Sequence, residues 1–240
     1  MTGRATTTLR FRNAPLHNPS WAPAVGPRVL DGSDIVAWSE GYHAYTWLST
    51  HTGDYAHYTA VGCRVDNHKR NVGHDVIISV KHDWTVKAHG QVKVAEQLQV
   101  PPHGDLYHPE RWAVWVLAEK NDLVVLALFW HPQPGPTTHP KIVLPSYKQS
   151  NQIVETQIKA LIAEHKPDVV LAGGDLQVGS LAQPWGPNHL FAGLGMTAVH
   201  DGIVWTAVKG AKITKRTTIA AAKVGKGMDH PHDVLTLEVA

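Results

Sequence analysis

The clearest strand signal in this 240-residue chain is Pro167-Asp168-Val169-Val170-Leu171-Ala172-Gly173-Gly174-Asp175-Leu176-Gln177. Its apolar run, rich in β-branched residues and preceded by proline, is typical of a strand inside a sheet. Gly173 and Gly174 let the backbone turn or be approached closely, so Asp175 is presented where a carboxylate can meet a metal ion or water. Taken alone, Gly-Gly-Asp is more often a polar turn. A functional interpretation therefore depends on other strands that end in the same way.

Two strands near the amino terminus also end on polar side chains. Leu9 and Phe11 alternate with arginines, as on a half-buried strand, and Asn13 is predicted to end it. Residues 34–40 form an apolar strand that finishes on Glu40. Three predicted strands thus close on an oxygen-bearing side chain.

The middle of the chain predicts a β-hairpin. Residues 112–118 and 123–129 are its strands, with the turn at 120–122. The first strand follows Arg111, and the second leads into His131. A single histidine at a strand end is more often structural than catalytic, so His131 gains weight only beside the other strand ends.

A helix is predicted at residues 146–165, where apolar residues recur at helical spacing. Pro167 stops it and the Asp175 strand follows, which indicates an α/β unit with functional groups at the carboxyl ends of its strands. A loop is expected after Trp185.

Near the carboxyl terminus, residues 202–208 and 211–219 are expected to pair with each other across Gly210. A glycine-rich turn then leads through Asp229-His230 to a closing strand at 235–239.

Composition indicates a globular protein, most simply one domain spanning residues 1–240, because 43% of residues are hydrophobic and 18% are charged. No apolar run approaches the roughly 20 residues of a membrane helix, and no signal-peptide core follows Met1, so we expect a cytoplasmic protein without a membrane partner. Cys63 is the one cysteine, which excludes an intramolecular disulfide and a multi-cysteine zinc site, and no disulfide-linked partner is expected.

The formal net charge is only +2, but basic residues concentrate late in the chain, with no acid between Asp201 and Asp229. Such a run suits a polyanion such as nucleic acid, and it is equally typical of a solvated surface. Its members are Lys209, Lys212, Lys215, Arg216, Lys223 and Lys226.

In their order and spacing, these strand ends resemble the endonuclease/exonuclease/phosphatase superfamily, which has the DNase I-like fold. The likeness runs from about Leu9 to Val239. Residues 170–177 resemble the Gly-Asp-Phe-Asn block of that family, and Met228-Asp229-His230 resembles its Ser-Asp-His block. The resemblance implies an α/β fold, a two-layer β-sandwich flanked by helices in four layers, α/β/β/α.

The resemblance also implies a divalent cation, Mg²⁺ or Mn²⁺, held by Glu40, Asp229 and Asn13. Magnesium prefers oxygen ligands and keeps several waters, so one or two carboxylates and an amide suffice. A hard cation of this kind stabilises charge on the oxygens of a phosphodiester during hydrolysis.

Catalytic roles follow from the same resemblance. Asp175 would orient or deprotonate the attacking water, and His230 would contact the scissile phosphate or act as a base. His131 would assist phosphate binding or protonate the leaving group. Asp201 would hydrogen-bond His230 and fix its ring, although Asp201 alone is equally typical of a turn before Gly202.

Three positions depart from the family pattern, and at one of them Gly202 follows Asp201 where the family tends to have a larger residue. Gln177 stands where the family usually has Asn, and Ser39 stands where it has Gln. Gln keeps the amide but reaches one methylene further, so a substrate contact could survive with altered geometry. The residues predicted to bind substrate are Gln177, Arg111, Trp185, Lys212 and Lys215.

The expected function is divalent-metal-dependent phosphodiester hydrolysis, with DNA or RNA as substrate. Three alternatives stay open. They are a phosphatase of the same fold that acts on a small phosphorylated substrate, a catalytically decayed nucleic-acid-binding protein, and a sugar- or protein-binding β-sandwich with no inherited site.

Overall fold

The computed structural model describes residues 7–15, 22–39, 42–50, 53–60, 75–99, 107–179, 183–219 and 232–239. Within these ranges the elements follow in chain order as β1 (Thr7–Pro15), α1 (Ala22–Leu30), β2 (Ile35–Ser39), α2 (Tyr42–Thr50), β3 (Tyr55–Thr59), β4 (Val76–Lys81), β5 (Thr85–Ala95), β6 (Leu98–Gln99), β7 (Tyr107–His108), β8 (Arg111–Lys120), β9 (Leu123–Trp130), α3 (Val143–His165), β10 (Val169–Asp175), α4 (Pro187–Gly193), β11 (Thr197–Asp201), β12 (Val204–Lys209), β13 (Lys212–Ile219) and β14 (His232–Val239).

Two mixed six-stranded sheets form the body of the structure. The first has the order β13-β14-β1-β2-β4-β3 and the second the order β11-β12-β10-β9-β8-β5. Within them, β1 pairs with β2 and β9 pairs with β10 in parallel, while the other pairs are antiparallel. The two sheets and their helices are consistent with the predicted DNase I-like sandwich.

Alternation along the strands explains this layering, because successive side chains of a strand face opposite sides of a sheet. One set of alternate residues forms a core between the sheets, where the rings of Phe11 and Phe129 stack at a centroid distance of 5.1 Å. The other set packs beneath the helices: α3 and α4 cover the second sheet, and α1 and α2 cover the first. None of the four described helices has the length and apolar character needed to cross a membrane.

The Asp175 strand, β10, is fully buried and lies between β9 and β12. Its two glycines permit a close approach of both neighbours. A Cβ on Gly173 would overlap the carbonyl oxygen of Trp205, and a Cβ on Gly174 would overlap that of Trp130. The paired glycines therefore let the sheet close tightly just before Asp175.

The predicted hairpin of β8 and β9 is confirmed. Asn121 and Asp122 form its turn with φ angles of 51° and 62°. Positive φ at both central residues is the signature of a type I′ turn, and Asn and Asp tolerate it better than most residues.

The pairing predicted across Gly210 is wrong. β12 pairs on its two sides with β10 and β11, and β13 pairs with β14 in the other sheet. Because both edges of β12 are occupied, the chain has to leave the sheet, and Gly210, with φ of 82°, lies where it crosses over.

The loop expected after Trp185 is also wrong in part, because Pro187–Gly193 forms α4. Proline at the first helical position favours such a start.

Two predicted boundaries also differ from the structure. Asn13 lies inside β1, two residues before the end of the strand. Helix α3 begins three residues earlier than predicted.

Replacing Gly174 with alanine tests the close approach of β10 to its neighbour. The added Cβ would meet the Trp130 carbonyl at a φ of 143°, so we expect the free energy of unfolding to fall by roughly 2–4 kcal/mol. Urea denaturation followed by circular dichroism measures this. Gly193→Ala is the control, because nothing lies within 4 Å of its Cβ position, and its effect should stay below about 1 kcal/mol. Equal stability of the two variants would contradict this packing.

Candidate functional site

The core between the sheets changes from apolar to polar at one end. Five strands carry a polar side chain there on the same face as their core residues, a sixth such side chain directly follows β9, and each of the six is at most 3% exposed. This end is called the polar edge, and its residues are Asn13, Ser39, His131, Asp175, Thr206 and Asp233.

Strand pairing and hydrogen bonds bring the polar edge together from both sheets. Asn13 pairs in register with Asp233, and Gly173 with Phe129, which places Asp175 beside His131. Two groups of hydrogen bonds then join the sheets. The Asn13 Nδ2 donates to the Trp205 carbonyl oxygen at 2.9 Å and to the Thr206 Oγ1 at 3.4 Å, and the backbone N–H of Asp175 donates to the Ser39 Oγ at 3.2 Å.

His131 lies against a buried ion pair that the sequence analysis missed. The Arg111 Nη1 donates to the Asp75 Oδ2 at 2.5 Å, and the His131 Nδ1 lies 3.1 Å from the Asp75 Oδ1. Asp75 directly precedes β4, which runs antiparallel to β2, so it arrives at the end of the sheet where Ser39 lies. An acid immediately before a buried strand is the sequence signal that could have identified it.

The charges around His131 shift its titration and that of Asp75. Burial alone would raise the pKa of Asp75, but Arg111 and His131 hold it well below the usual carboxyl range. Burial alone would lower the pKa of His131, but the Asp75 carboxylate outweighs this and raises it above the ordinary imidazole value. Asp75 therefore favours an imidazolium at His131.

Gln177 bridges Asp175 and His131. Its Nε2 donates to the Asp175 Oδ1 at 2.8 Å and lies 3.1 Å from the His131 Nε2. With His131 neutral and its proton on Nδ1, Nε2 can accept the second amide hydrogen. Protonation of Nε2 would place donor against donor and break the bridge. Gln177 adopts a φ of 59°, a left-handed conformation that is uncommon for a residue other than glycine.

Asn13 offers an oxygen ligand at the polar edge. Its side chain is 0% exposed, and its Oδ1 accepts no hydrogen bond from the described residues. A buried amide oxygen without a donor fits a hard divalent cation. Glu40, Asp229 and His230 lie outside the described residues. In the described part of the chain, no three His, Cys, Asp or Glu side chains are grouped to hold a metal ion.

Asp201 lies near the polar edge, two strands from Asp175. Val204 pairs with Asp175 on one side and with Asp201 on the other, so all three face the same side of the sheet. From the strand spacing, the two carboxylate residues are about 10 Å apart. The predicted contact of Asp201 with His230 stays a prediction, because His230 is not among the described residues.

The two predicted substrate-binding lysines lie on the exposed edge strand β13 and not at the polar edge. Lys212 pairs with Glu238 and Lys215 with Thr236, five and three residues along β14 from Asp233. These offsets correspond to roughly 17 Å and 10 Å along the strand. The lysines could contact a long polyanion but not the group at the polar edge.

Asp233 is a second buried acid that the sequence analysis missed. The Arg216 Nε and Nη2 donate to its carboxylate at 3.0 Å and 3.1 Å, and the Thr218 Oγ1 donates at 3.0 Å. Arg216, counted in the basic run of the sequence, thus has a structural partner. These bonds fasten β13 to β14 beside Asn13.

No protein-family profile and no curated protein matches the sequence. Solved structures do match. An endonuclease/exonuclease/phosphatase from Bacteroides vulgatus has a TM-score of 0.71 at 14% identity, covering 98% of this chain and 100% of that one. A mannosyl-6-phosphatase from Bacteroides thetaiotaomicron has a TM-score of 0.63 at 15% identity, covering 95% and 99%. TDP2 from D. rerio, complexed with a single-stranded DNA product, has a TM-score of 0.64 at 9% identity, covering 96% and 99%.

These similarities define the class of fold. The chain has the DNase I-like fold of these structures, which is the fold that the resemblance in its sequence implies.

Replacing Asp75 with asparagine tests the electrostatics of His131. The variant removes the anion that contributes most to raising the imidazole pKa, and it leaves burial and the Arg111 charge opposed only by the weaker effect of Asp175. We therefore expect the pKa of His131 to move from above its ordinary value to below it, measured by NMR titration of the ring nitrogens. Asp83→Asn removes an exposed acid that pairs with Lys120 and should leave the His131 titration unchanged. An unchanged His131 pKa in the Asp75 variant would show that the pair does not control it.

Proposed function

We propose that this chain is a divalent-metal-dependent phosphoester hydrolase whose substrate is a nucleic acid. The observation that carries the proposal is the bridge from the Asp175 carboxylate through the Gln177 amide to the His131 Nε2, at the buried end of both sheets. A general base and an imidazole held side by side are the groups that attack on phosphorus requires.

Asp175 is the proposed base. Its Oδ1 accepts hydrogen bonds from both the backbone N–H and the side chain of Gln177. These donors fix the position of the carboxylate that is proposed to accept a proton from the attacking water. The hydrogen bond from the Asp175 backbone N–H to the Ser39 Oγ holds the end of β10 in place. Ser39 therefore has a defined role although it departs from the family pattern.

His131 is the proposed proton donor. Asp75 stabilises the imidazolium, and Arg111 balances the Asp75 charge, so the group can carry a proton at Nε2 despite its burial. The same protonation breaks the contact with the Gln177 Nε2. The amide of Gln177 is then available to a phosphate oxygen, and the Nε2–H of His131 can be donated to the phosphate or to the leaving oxygen.

Asn13, with Glu40 and Asp229, would hold the cation. When bound, such an ion stabilises negative charge on the transferring and leaving oxygens. His230, oriented by Asp201, is the proposed second imidazole at the phosphate.

Support for a nucleic acid comes from two features. The exposed lysines of β13 suit an extended phosphate backbone, and one structure of this fold, D. rerio TDP2, is complexed with single-stranded DNA product. A phosphorylated sugar is the second candidate, because a mannosyl-6-phosphatase has a comparable TM-score.

The test is hydrolysis of plasmid, single-stranded DNA, RNA and mannose 6-phosphate, with Mg²⁺ or Mn²⁺ and with chelator. We expect nucleic acid to be cleaved, activity to disappear with chelator, and Asp175→Asn to reduce turnover by about 10²–10⁴-fold.

The matched control is Asp83→Asn, which removes an exposed carboxylate and should retain wild-type turnover. Phosphate release from the sugar ester alone would favour the second candidate. Full activity of the Asp175 variant, or activity that persists in chelator, would contradict the proposal.

A further inference from the structure

A cavity of about 300 Å³ lies between α3 and α4, on the outer face of the second sheet. Its volume is at the lower end of the range found for small-molecule sites. Four polar residues of α3 lie at i, i+3, i+4 and i+7, so they share one face of the helix. The residues used below are Lys148, Asn151, Gln152, Glu155, Trp185 and His189.

Trp185 is held in a fixed position beside this cavity. Its ring packs edge-on against Tyr147, with a centroid distance of 5.5 Å and an interplanar angle of 78°. Its carbonyl oxygen accepts a hydrogen bond from the Asn151 Nδ2 at 3.2 Å. Asn151 is 7% exposed, and its Oδ1 accepts no hydrogen bond from the described residues. A partly exposed indole held in this way is a ready stacking platform.

The cavity is connected to the candidate catalytic strand through one ring. The Tyr147 Oη donates to the carbonyl oxygen of Leu176 at 2.8 Å, and Leu176 directly follows Asp175. The Tyr147 ring therefore lies between Trp185 and the end of β10. Through Tyr147 the cavity wall is thus hydrogen-bonded to the residue that follows Asp175.

The charge of the cavity favours an anion. Glu155 is paired with Lys159 at 2.6 Å, so its charge is already balanced. Lys148 and His189 are both exposed, and neither side chain has an ion-pair or hydrogen-bond partner among the described residues. An aromatic face beside the Lys148 ammonium group and the His189 imidazole matches a nucleotide, whose base can stack while its phosphate meets these two side chains.

We propose that this cavity is a nucleotide subsite, which stacks a base of a single-stranded segment on Trp185 and binds its phosphate with Lys148 and His189. The inference rests on the proposed function, because it assigns the substrate of that site as single-stranded nucleic acid that continues past the cleaved bond.

Binding is tested with a fluorescently labelled single-stranded DNA oligonucleotide, by anisotropy, in an Asp175→Asn background that prevents turnover. Trp185→Ala should weaken binding at least about fivefold, because one base–aromatic stack is lost. Trp185→Phe should recover most of the affinity. Lys148→Ala should weaken binding and reduce the slope of log affinity against log salt by about 0.7. The charge-matched control is Lys87→Ala, on the edge strand β5, where Lys87 pairs with Glu119. This variant should leave both the affinity and the salt slope unchanged.

Hydrolysis of bis(p-nitrophenyl) phosphate separates this inference from the proposed function, since that small ester has no base to stack. The wild-type enzyme and its Lys87→Ala variant, which changes no residue of the proposed sites, should hydrolyse the small ester at the same rate. If the small ester is cleaved but Trp185→Ala and Lys148→Ala bind the oligonucleotide like their parent, the subsite is overturned and the proposed function stands. If no ester is cleaved yet binding depends on Trp185 and Lys148, the subsite stands and the hydrolase proposal fails.

Discussion

Polar groups buried between two β-sheets need partners, and this constraint organises the end of the sandwich where the site lies. Along most of each strand the inner face is apolar and the sheets meet through packing alone. At the polar edge, Asn13 and Asp175 instead join the sheets by hydrogen bonds to Trp205, Thr206 and Ser39. An unpartnered buried polar group is destabilising by roughly 1–3 kcal/mol. The hydrogen bonds that stabilise the fold at this end therefore also hold the site residues in position.

The same constraint explains why the charges at His131 come as a set. A buried carboxylate alone would be neutralised by a shift of its pKa, and Arg111 prevents this at Asp75. Asp75 in turn permits a protonated imidazole in a site that is otherwise unfavourable for charge. The Gln177 amide has the opposite effect, because it can donate a hydrogen bond only to the neutral imidazole of His131. Asp75 and Gln177 therefore favour opposite protonation states of His131, which suits the proton-transfer role proposed for it.

Much of the fold could be predicted from local patterns. Residues 169–175 have the composition of a buried strand, Asn121 and Asp122 favour the turn that they form, and the apolar spacing of α3 is helical. The polar edge was accessible in the same way, because Asn13 and His131 each follow a core residue by two, and Asp175 continues the alternation of Val169 and Leu171 through Gly173. The order of strand ends was sufficient to indicate the fold that the solved structures share.

The remaining features depend on contacts between distant segments. β12 and β13 have a hairpin-like sequence, yet they join different sheets because β11 already occupies the free edge of β12. Asp75 gains its role from a histidine 56 residues away, and Arg216 has a partner that only the register of β14 supplies. No local pattern encodes such pairings. The left-handed backbone of Gln177 likewise could not be expected from residue preference.

The central claim is that the polar edge binds a divalent cation through Asn13, and a crystal grown with Mn²⁺ tests it most directly. The account predicts an anomalous-difference peak within roughly 2.5 Å of the Asn13 Oδ1, with oxygen atoms of Glu40 and Asp229 in the same coordination sphere. A manganese ion bound elsewhere, with the Asn13 oxygen not coordinated, would contradict it.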